Sequence, residues 1–472
     1  MIAQKISYNI IFVGVTKVIS IGLALYVVSM LTRHLGEEGY GKYTIALSYM
    51  GLFMALADMG LYAITTREIS RENADEESIV GKIFLLRLLI SGGLFVVLSL
   101  VAWILPYDTQ TQKAIALIAI AFLFSSSYSL LNGVFQKNVA MDRVALAEFA
   151  GKLVQLGMIV MIVNKELSFI WAVIAVVGAM ITNFTLVFIL VQKYIKISLR
   201  WDPVYWKKFI KKSLPLGVSA LATFLYFKVD AILLSFFQSE SDVGIYGVAY
   251  KVIETLIFFP AMVTGLVFPL FSRYIFTDKK RFAHITDSVV KFFMLIVTPA
   301  VIGLYFLAPV AIDVIGGNDF IDAVGVLRVI SFTLVGIFFG HLFMSIAIAA
   351  NLQKTLMKIL LGTAALNITL NLFLIPKFSY YGAAYTSVIT EVFVMIAVLW
   401  LITTKTAFRL HLRKAMWYIV AACAMIIPFI AIGKENMMLA TPMAIFAYCA
   451  VIFAARVVSV DDLQAIRPKN TP

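Results

Sequence analysis

The chain has 472 residues, of which 62% are hydrophobic and only 14% charged, with a net charge of +13. A water-soluble chain is closer to half apolar and a quarter charged, so a soluble enzyme or soluble binding domain is excluded. The mean hydropathy of +0.95 and pI of about 9.5 together point to a membrane protein whose surplus cations serve topology rather than nucleic-acid binding.

A hydrocarbon core about 30 Å thick needs ~20 mostly apolar residues per crossing helix. The sequence predicts fourteen such spans, at residues 9–31, 43–65, 83–104, 114–135, 144–163, 168–191, 213–237, 248–271, 289–312, 327–350, 355–376, 382–402, 414–432 and 439–457. The first run is too long for a signal-peptide core and no small-residue cleavage site follows it, so it reads as a retained span. Cys423 and Cys449 fall inside spans 13 and 14, as buried small hydrophobes rather than a disulfide or metal site.

With the N-terminus inside, and residues at span ends counted with the segment they adjoin, inner segments hold 27 Lys and Arg. Outer segments hold 6, namely Arg33, Lys42, Lys113, Lys165, Lys377 and Lys434. That bias orients the chain with both termini cytoplasmic, in a cytoplasmic (inner) membrane. The longest inner segment, Gln192 to Lys212, mixes Lys207, Lys208, Lys211 and Lys212 with Trp201, Tyr205 and Trp206. Such a mixture suits a basic anchor in the headgroup layer, and alternatively a grip on an anionic lipid headgroup.

This segment divides the chain into a six-helix lobe (1–191), a basic linker (192–212), a second six-helix lobe (213–402) and two further helices with a cytoplasmic tail (403–472). Short echoes occur in matching order: GYGKY (Gly39–Tyr43) with GIYGVAY (Gly244–Tyr250), and FQKN (Phe135–Asn138) with LQK (Leu352–Lys354). A six-span lobe starts and ends on one side, so the lobes are parallel repeats with a substrate path between them.

Ionisable side chains at mid-span cost at least ~2.5–3.5 kcal/mol and should face a watery cavity or one another. The bases so placed are Lys17, Arg87, Lys152, Lys228, Lys251 and Arg328; the acids are Asp58, Glu148, Asp230, Glu254 and Glu391. Glu148 with Lys152, and Lys251 with Glu254, have the spacing of local pairs on one helix face. Lys228 and Asp230 point apart, so at least one needs a partner elsewhere. Lys17, Arg87 and Glu391 have no opposite charge on their own helix; Arg87 could also snorkel towards the inner surface. Arg328 reads as an interfacial residue and His341 as a core histidine or a proton relay. Prolines 215, 260, 269, 299, 309 and 428 lie in or beside spans, where kinks suit a protein that bends between two states.

Three passages carry a family resemblance. They are Ser213–Phe237 with the following VGIYGVAYKVIETLIFFP, Asn367–Glu391 (NITLNLFLIPKFSYYGAAYTSVITE), and Phe135–Phe149 (FQKNVAMDRVALAEF). They resemble flippases of the multidrug/oligosaccharidyl-lipid/polysaccharide superfamily, in its polysaccharide-biosynthesis and O-antigen repeat-unit branch. The resemblance implies an all-α membrane fold with a V-shaped cavity between two lobes. It implies alternating access, moving an undecaprenyl-pyrophosphate-linked oligosaccharide from the inner to the outer leaflet. Lys228 and Asp230 fall on the family's basic-x-Asp position, and Glu391 on the acid closing its GAA passage. Spans 13 and 14 occupy the place where related lipid II flippases carry a groove for the lipid tail.

A pyrophosphate is strongly anionic, so Lys17, Arg87, Lys152 and Lys228 are the expected headgroup or cavity residues. Asp58, Glu148, Asp230, Lys251, Glu254 and Glu391 are the expected charge partners or ion-coupling groups, with a proton or sodium ion as candidates. No GxxxxGK[ST] nucleotide motif is present, and no cofactor or metal is expected. The expected working form is a single chain beside polysaccharide assembly proteins. The nearest rival is a cation or drug extruder of the same superfamily, which six bases against five acids disfavour. A membrane-embedded ligase, polymerase or glycosyltransferase would need a catalytic outer loop, and the longest here runs only from Asp313 to Val326. A channel has less need of two lobes. No enzymatic activity is expected.

Overall fold

The computed structural model describes residues 2–406, 408–409, 415–432 and 436–455; Lys434 and the basic tail lie outside them. With no water in the bilayer core, each crossing segment must satisfy its backbone groups internally, which leaves helices. The helices are α1 (Ile2–Asp58), α2 (Leu61–Ile69), α3 (Glu76–Ala102), α4 (Thr109–Lys137), α5 (Met141–Asn164), α6 (Phe169–Val191), α7 (Pro203–Phe237) and α8 (Glu240–Leu256). They continue as α9 (Phe258–Thr277), α10 (Lys279–Gly316), α11 (Ala323–Ile330), α12 (Thr333–Ala349), α13 (Gln353–Phe378), α14 (Tyr380–Lys405), α15 (Ala415–Ile432) and α16 (Met437–Ala454).

All fourteen predicted spans fall on these helices. Among the described residues, 11 helical stretches are long and apolar enough to cross a membrane. The first, Phe12–Asp58, covers most of span 1 and the first part of span 2, because α1 changes direction at Gly36 (φ 64°, ψ −173°), and span 2 runs on into α2. Spans 13 and 14 are the shorter apolar helices Met416–Ile432 and Leu439–Ala454. Several helices start well before the predicted span, among them α3 at Glu76, α8 at Glu240 and α10 at Lys279. The second half of the linker is helical, since α7 starts at Pro203 rather than at residue 213. Asp202 caps it by accepting from the Tyr205 amide at 2.9 Å, and proline at the first helical position needs no N–H partner.

The chain forms two compact units. The first runs from the N-terminal end through Val248 and adds Val314–Phe320 and Ile368–Ala383. Its core joins Leu61, Phe84, Leu131, Phe135 and Val187 to Trp206 and Phe209 of the linker helix. The second holds Ala249–Asp313, Ile321–Asn367 and the described chain beyond Ala384. There α15 and α16 pack on α10: the Phe306 and Phe429 rings stack with centroids 4.8 Å apart, and the Tyr448 hydroxyl donates to the Leu295 carbonyl at 3.1 Å.

Successive spans reverse through single residues with positive φ. Val139 (φ 50°) and Glu166 (φ 51°) join α4 to α5 and α5 to α6; Asn351 (φ 61°) and Ser379 (φ 49°) join α12 to α13 and α13 to α14. The same device thus recurs at the joins between the fourth, fifth and sixth spans and between the tenth, eleventh and twelfth. A β-branched valine in this conformation is strained. Asn9 braces it, donating to the Val139 carbonyl at 3.1 Å and accepting from the Asp142 amide at 3.0 Å.

The glycine echo noted in the sequence is a contact. Gly41 and Gly244 meet backbone to backbone within the first unit. A Cβ on Gly41 would lie 1.7 Å from the Glu240 carbonyl oxygen, and one on Gly244 would lie 2.2 Å from that of Glu37. Neither position can hold a side chain without parting the helices.

Candidate functional site

The second span is broken, and a buried cation holds the break. Met59 (φ 40°) and Gly60 (φ 73°) end α1 and start α2. Glycine is required because the left-handed backbone coincides with a close approach: a Cβ at Gly60 would sit 2.7 Å from the Ser213 carbonyl of α7. The end of α1 leaves carbonyls without helical partners, the negative end of the helix dipole. Arg87 of α3, 1% exposed, answers them. Its Nη1 donates to the Ala57 carbonyl and lies 3.4 Å from Asp58 Oδ1; its Nε donates to the Ser126 carbonyl at 3.2 Å; its Nη2 reaches Ser129 Oγ at 3.4 Å. Asp58 Oδ2 also accepts from the Gly60 amide at 3.3 Å. The guanidinium is therefore turned into the bundle rather than snorkelling, and four of its five donors are spent on protein.

Asp230 forms a second buried node. It is 1% exposed, accepts from the Asn371 side-chain amide at 2.7 Å and from the Tyr246 hydroxyl at 3.1 Å. Lys228, two residues away on α7, is half-buried. The sequence reading missed Asn371 and Tyr246 as partners. Both sit in passages singled out for other reasons, the LN-x-x-LIP stretch and the GIYGVAY echo.

A third cluster joins α1 to α5. Lys17 Nζ lies 3.9 Å from Glu148 Oε2, with both side chains over a third exposed, and Lys152 donates to Gln155 Oε1 at 3.1 Å. Glu148 thus has a cross-helix partner that the Glu148–Lys152 spacing did not reveal. In the second unit Lys251 and Glu254 pair at 2.7 Å as their spacing predicts. Glu391 is 6% exposed, and α12 passes against it at Gly336, where a Cβ would lie 2.7 Å from the Glu391 Cβ. His341 is half-buried on α12.

The linker is latched onto the first unit by charge and ring contacts. Lys82 Nζ reaches Asp202 Oδ2 at 2.8 Å and lies 4.9 Å from the centre of the Tyr205 ring. The Trp206 indole donates to the Lys82 carbonyl at 2.9 Å, and its ring meets Trp201 edge-on. Lys212 pairs with Glu68, Arg200 lies 4.0 Å from Asp75, and Glu77 accepts from the Lys196 amide at 3.3 Å. The Lys82 ammonium and the Tyr205 amide hold the Asp202 carboxyl below its usual range. Trp206 is buried in the core while Trp201 stays exposed, so only part of the aromatic set is available to a headgroup layer.

A buried cation at a broken span and several proline-kinked helices belong to an all-helical, multi-pass membrane fold, similar to that of solved structures in the multidrug/oligosaccharidyl-lipid/polysaccharide superfamily. The arrangement is similar to the lipid II flippase MurJ in its inward closed conformation, with a TM-score of 0.79 at 13% identity, over 95% of this chain and 100% of that one. It is also similar to an inward-facing multidrug resistance transporter of the MATE family, with a TM-score of 0.64 at 15% identity, over 81% of this chain and 93% of that one. By sequence, a membrane protein of Methanocaldococcus jannaschii is 24% identical over 249 residues, 51% of this chain and 49% of its own length. The chain thus spans about half of that relative. A putative O-antigen transporter of Shigella flexneri is 25% identical over 400 residues, 81% of this chain and 94% of its own. The polysaccharide biosynthesis protein family model matches residues 6–275, more than half of the chain, and the protein belongs to that family.

Proposed function

We propose that this protein is a flippase that carries an undecaprenyl-pyrophosphate-linked oligosaccharide repeat unit from the inner to the outer leaflet. The observation that carries this reading is the family match over residues 6–275, and the O-antigen transporter relative supports it. The moving bodies are the two six-helix lobes, 1–191 and 213–402, joined by the 192–212 linker, with both termini cytoplasmic in the inner membrane. Lys17, Lys152 and Lys228 serve the anionic headgroup, because Lys17 and Lys228 are only part-buried and cations within spans attract pyrophosphate. Arg87 holds the break in the second span. Asp230 and Glu391, both buried carboxylates, are the proposed ion-coupling pair for a proton or sodium gradient.

In cells lacking the gene, surface glycan should be lost and a lipid-linked saccharide should accumulate on the cytoplasmic side. Lys17→Ala and Lys228→Ala should fail to restore it while reaching the membrane in normal amount. A null strain with normal surface glycan and no lipid-linked intermediate overturns the reading. A second reading, export of cationic drugs, is favoured by the MATE fold similarity. It requires that the null strain retain ethidium and that the purified protein in vesicles expel it.

A further inference from the structure

Arg328, a cation of the second unit, lies outside the residues proposed for transport. Arg328 of α11 donates through Nε to the Tyr305 carbonyl at 3.1 Å, and its guanidinium lies 5.4 Å from the centre of the Tyr305 ring. Among the described residues its two terminal amino groups make no hydrogen bond or ion pair. A guanidinium has five donors in a planar fork, and four of these remain unspent.

Arg328 lines an open-sided groove of ≈ 530 Å³ between α10, α11 and α14, lined otherwise by apolar and tyrosine side chains that include Tyr305, Phe332, Tyr385 and Ile389. That volume lies in the range of small-ligand sites, about 300–1,000 Å³. The depth of the groove fits a bilayer boundary. Arg328 and Tyr385 each lie within a turn and a half of their helix starts at Ala323 and Tyr380, roughly 8 Å of helix rise. The headgroup layer adds about 5–8 Å on each side of the hydrocarbon core. The cation is therefore level with the boundary between headgroups and acyl chains, while Phe332 and Ile389 lie further from those starts, at hydrocarbon depth.

We propose that this groove is a site for an anionic phospholipid of the surrounding bilayer, with its phosphate on Arg328 and one acyl chain along the apolar walls. Two observations select this occupant. A cation with an unspent fork at the edge of hydrocarbon calls for an anion, and phosphate matches the fork bidentately. The walls below it are apolar and offer nothing to a sugar or a hydrated ion. A zwitterionic lipid would bring its own ammonium close to the guanidinium and bind less well.

The test uses the full-length protein, delipidated in detergent, with phosphatidylglycerol and phosphatidylcholine as the two probes, read by native mass spectrometry. Wild type should retain phosphatidylglycerol about tenfold more strongly than phosphatidylcholine, the difference that charge-assisted bonds supply. Arg328→Gln should lower phosphatidylglycerol retention to the phosphatidylcholine level, Arg328→Lys should fall between, and Ile389→Trp should reduce both lipids by filling the groove. Equal retention of the two lipids by wild type overturns the proposal without recourse to any variant. So does an Arg328→Gln protein that elutes as a single species and still selects phosphatidylglycerol. Loss of the Arg328-dependent phosphatidylglycerol on addition of a polyprenyl phosphate would assign the groove to the lipid cargo instead, and also overturns it.

Discussion

Arg87 shows what a single residue inside the bilayer can be used for. Its position in the third span marks it as a costly charge, which a sequence can reveal. Its partners come from Ala57, Asp58, Ser126 and Ser129, four residues on two other helices that no spacing rule connects to it. Removing one member of a buried ion pair costs about 3–5 kcal/mol, because the other groups are left unanswered. Arg87→Leu should therefore lower the thermal midpoint of the purified protein sharply, and Arg87→Lys should recover only part of it, since one ammonium cannot span the same acceptors. Asp58→Asn should be milder, because Asp58 is 31% exposed. Thermal unfolding in detergent checks all three; a stable Arg87→Leu protein would remove Arg87 from the break. Asp202 makes the complementary case outside the membrane. Its carboxyl is held below the usual Asp value of ~3.9 by Lys82 and Tyr205. A depressed pKa in the folded state means that the latch is fully favoured above the unfolded value and is lost as pH falls through the folded one. Tryptophan emission from Trp201 and Trp206 should accordingly shift in wild type only below about pH 4. In Asp202→Asn, which keeps a good helix cap but loses the ion pair, that acid shift should be smaller, because the Glu68, Asp75 and Glu77 contacts of the latch remain.

At the scale of elements, the fourteen spans were legible because each is a long apolar run, and length and hydropathy are local properties. The positions where those runs bend were less so. Gly36, Gly60 and the prolines stand among 27 glycines and 12 prolines, and only the packing against α7 distinguishes Gly60 from the rest. The Gly41–Gly244 contact was half visible: the echo of GYGKY in GIYGVAY marked both segments, but nothing in either said that they touch. That contact has a built-in comparison. A Cβ at Gly41 or Gly244 meets backbone at 1.7 or 2.2 Å, whereas one at Gly14 or Gly22, on α1 as well, meets nothing within 4 Å. Replacing a mid-helix glycine by alanine at an open site stabilises by roughly 0.5–1 kcal/mol. Gly14→Ala and Gly22→Ala should thus raise the melting temperature or leave it unchanged. Gly41→Ala and Gly244→Ala should lower it, and combining them should cost less than the sum, because both act on one crossing. Equal behaviour of the four variants would mean that the helices part there without cost.

At the scale of the whole molecule, two independent kinds of pattern support the proposed division into two six-span lobes. One is the order of the sequence echoes. The other is the recurrence of one-residue reversals at Val139 and Glu166 and again at Asn351 and Ser379, where different side chains adopt one backbone shape. A backbone shape retained without its residue type is invisible to a sequence comparison of two halves. Orientation is a separate matter, because helix packing is indifferent to which side of a bilayer it faces; only the distribution of Lys and Arg decides it. That inference can be made to fail. Ser70, in the segment after α2, and Ser239, just before α8, are both exposed and fall on opposite sides of the predicted topology. In a protein with Cys423 and Cys449 replaced by alanine, a cysteine at position 239 should react with a membrane-impermeant maleimide in intact cells. A cysteine at position 70 should react only after the membrane is opened. The reverse pattern would invert the chain and place the linker latch on the outside. Labelling of both without permeabilisation would mean that an odd number of the predicted spans between them fails to cross, leaving the remaining helices unable to form two parallel sets of six.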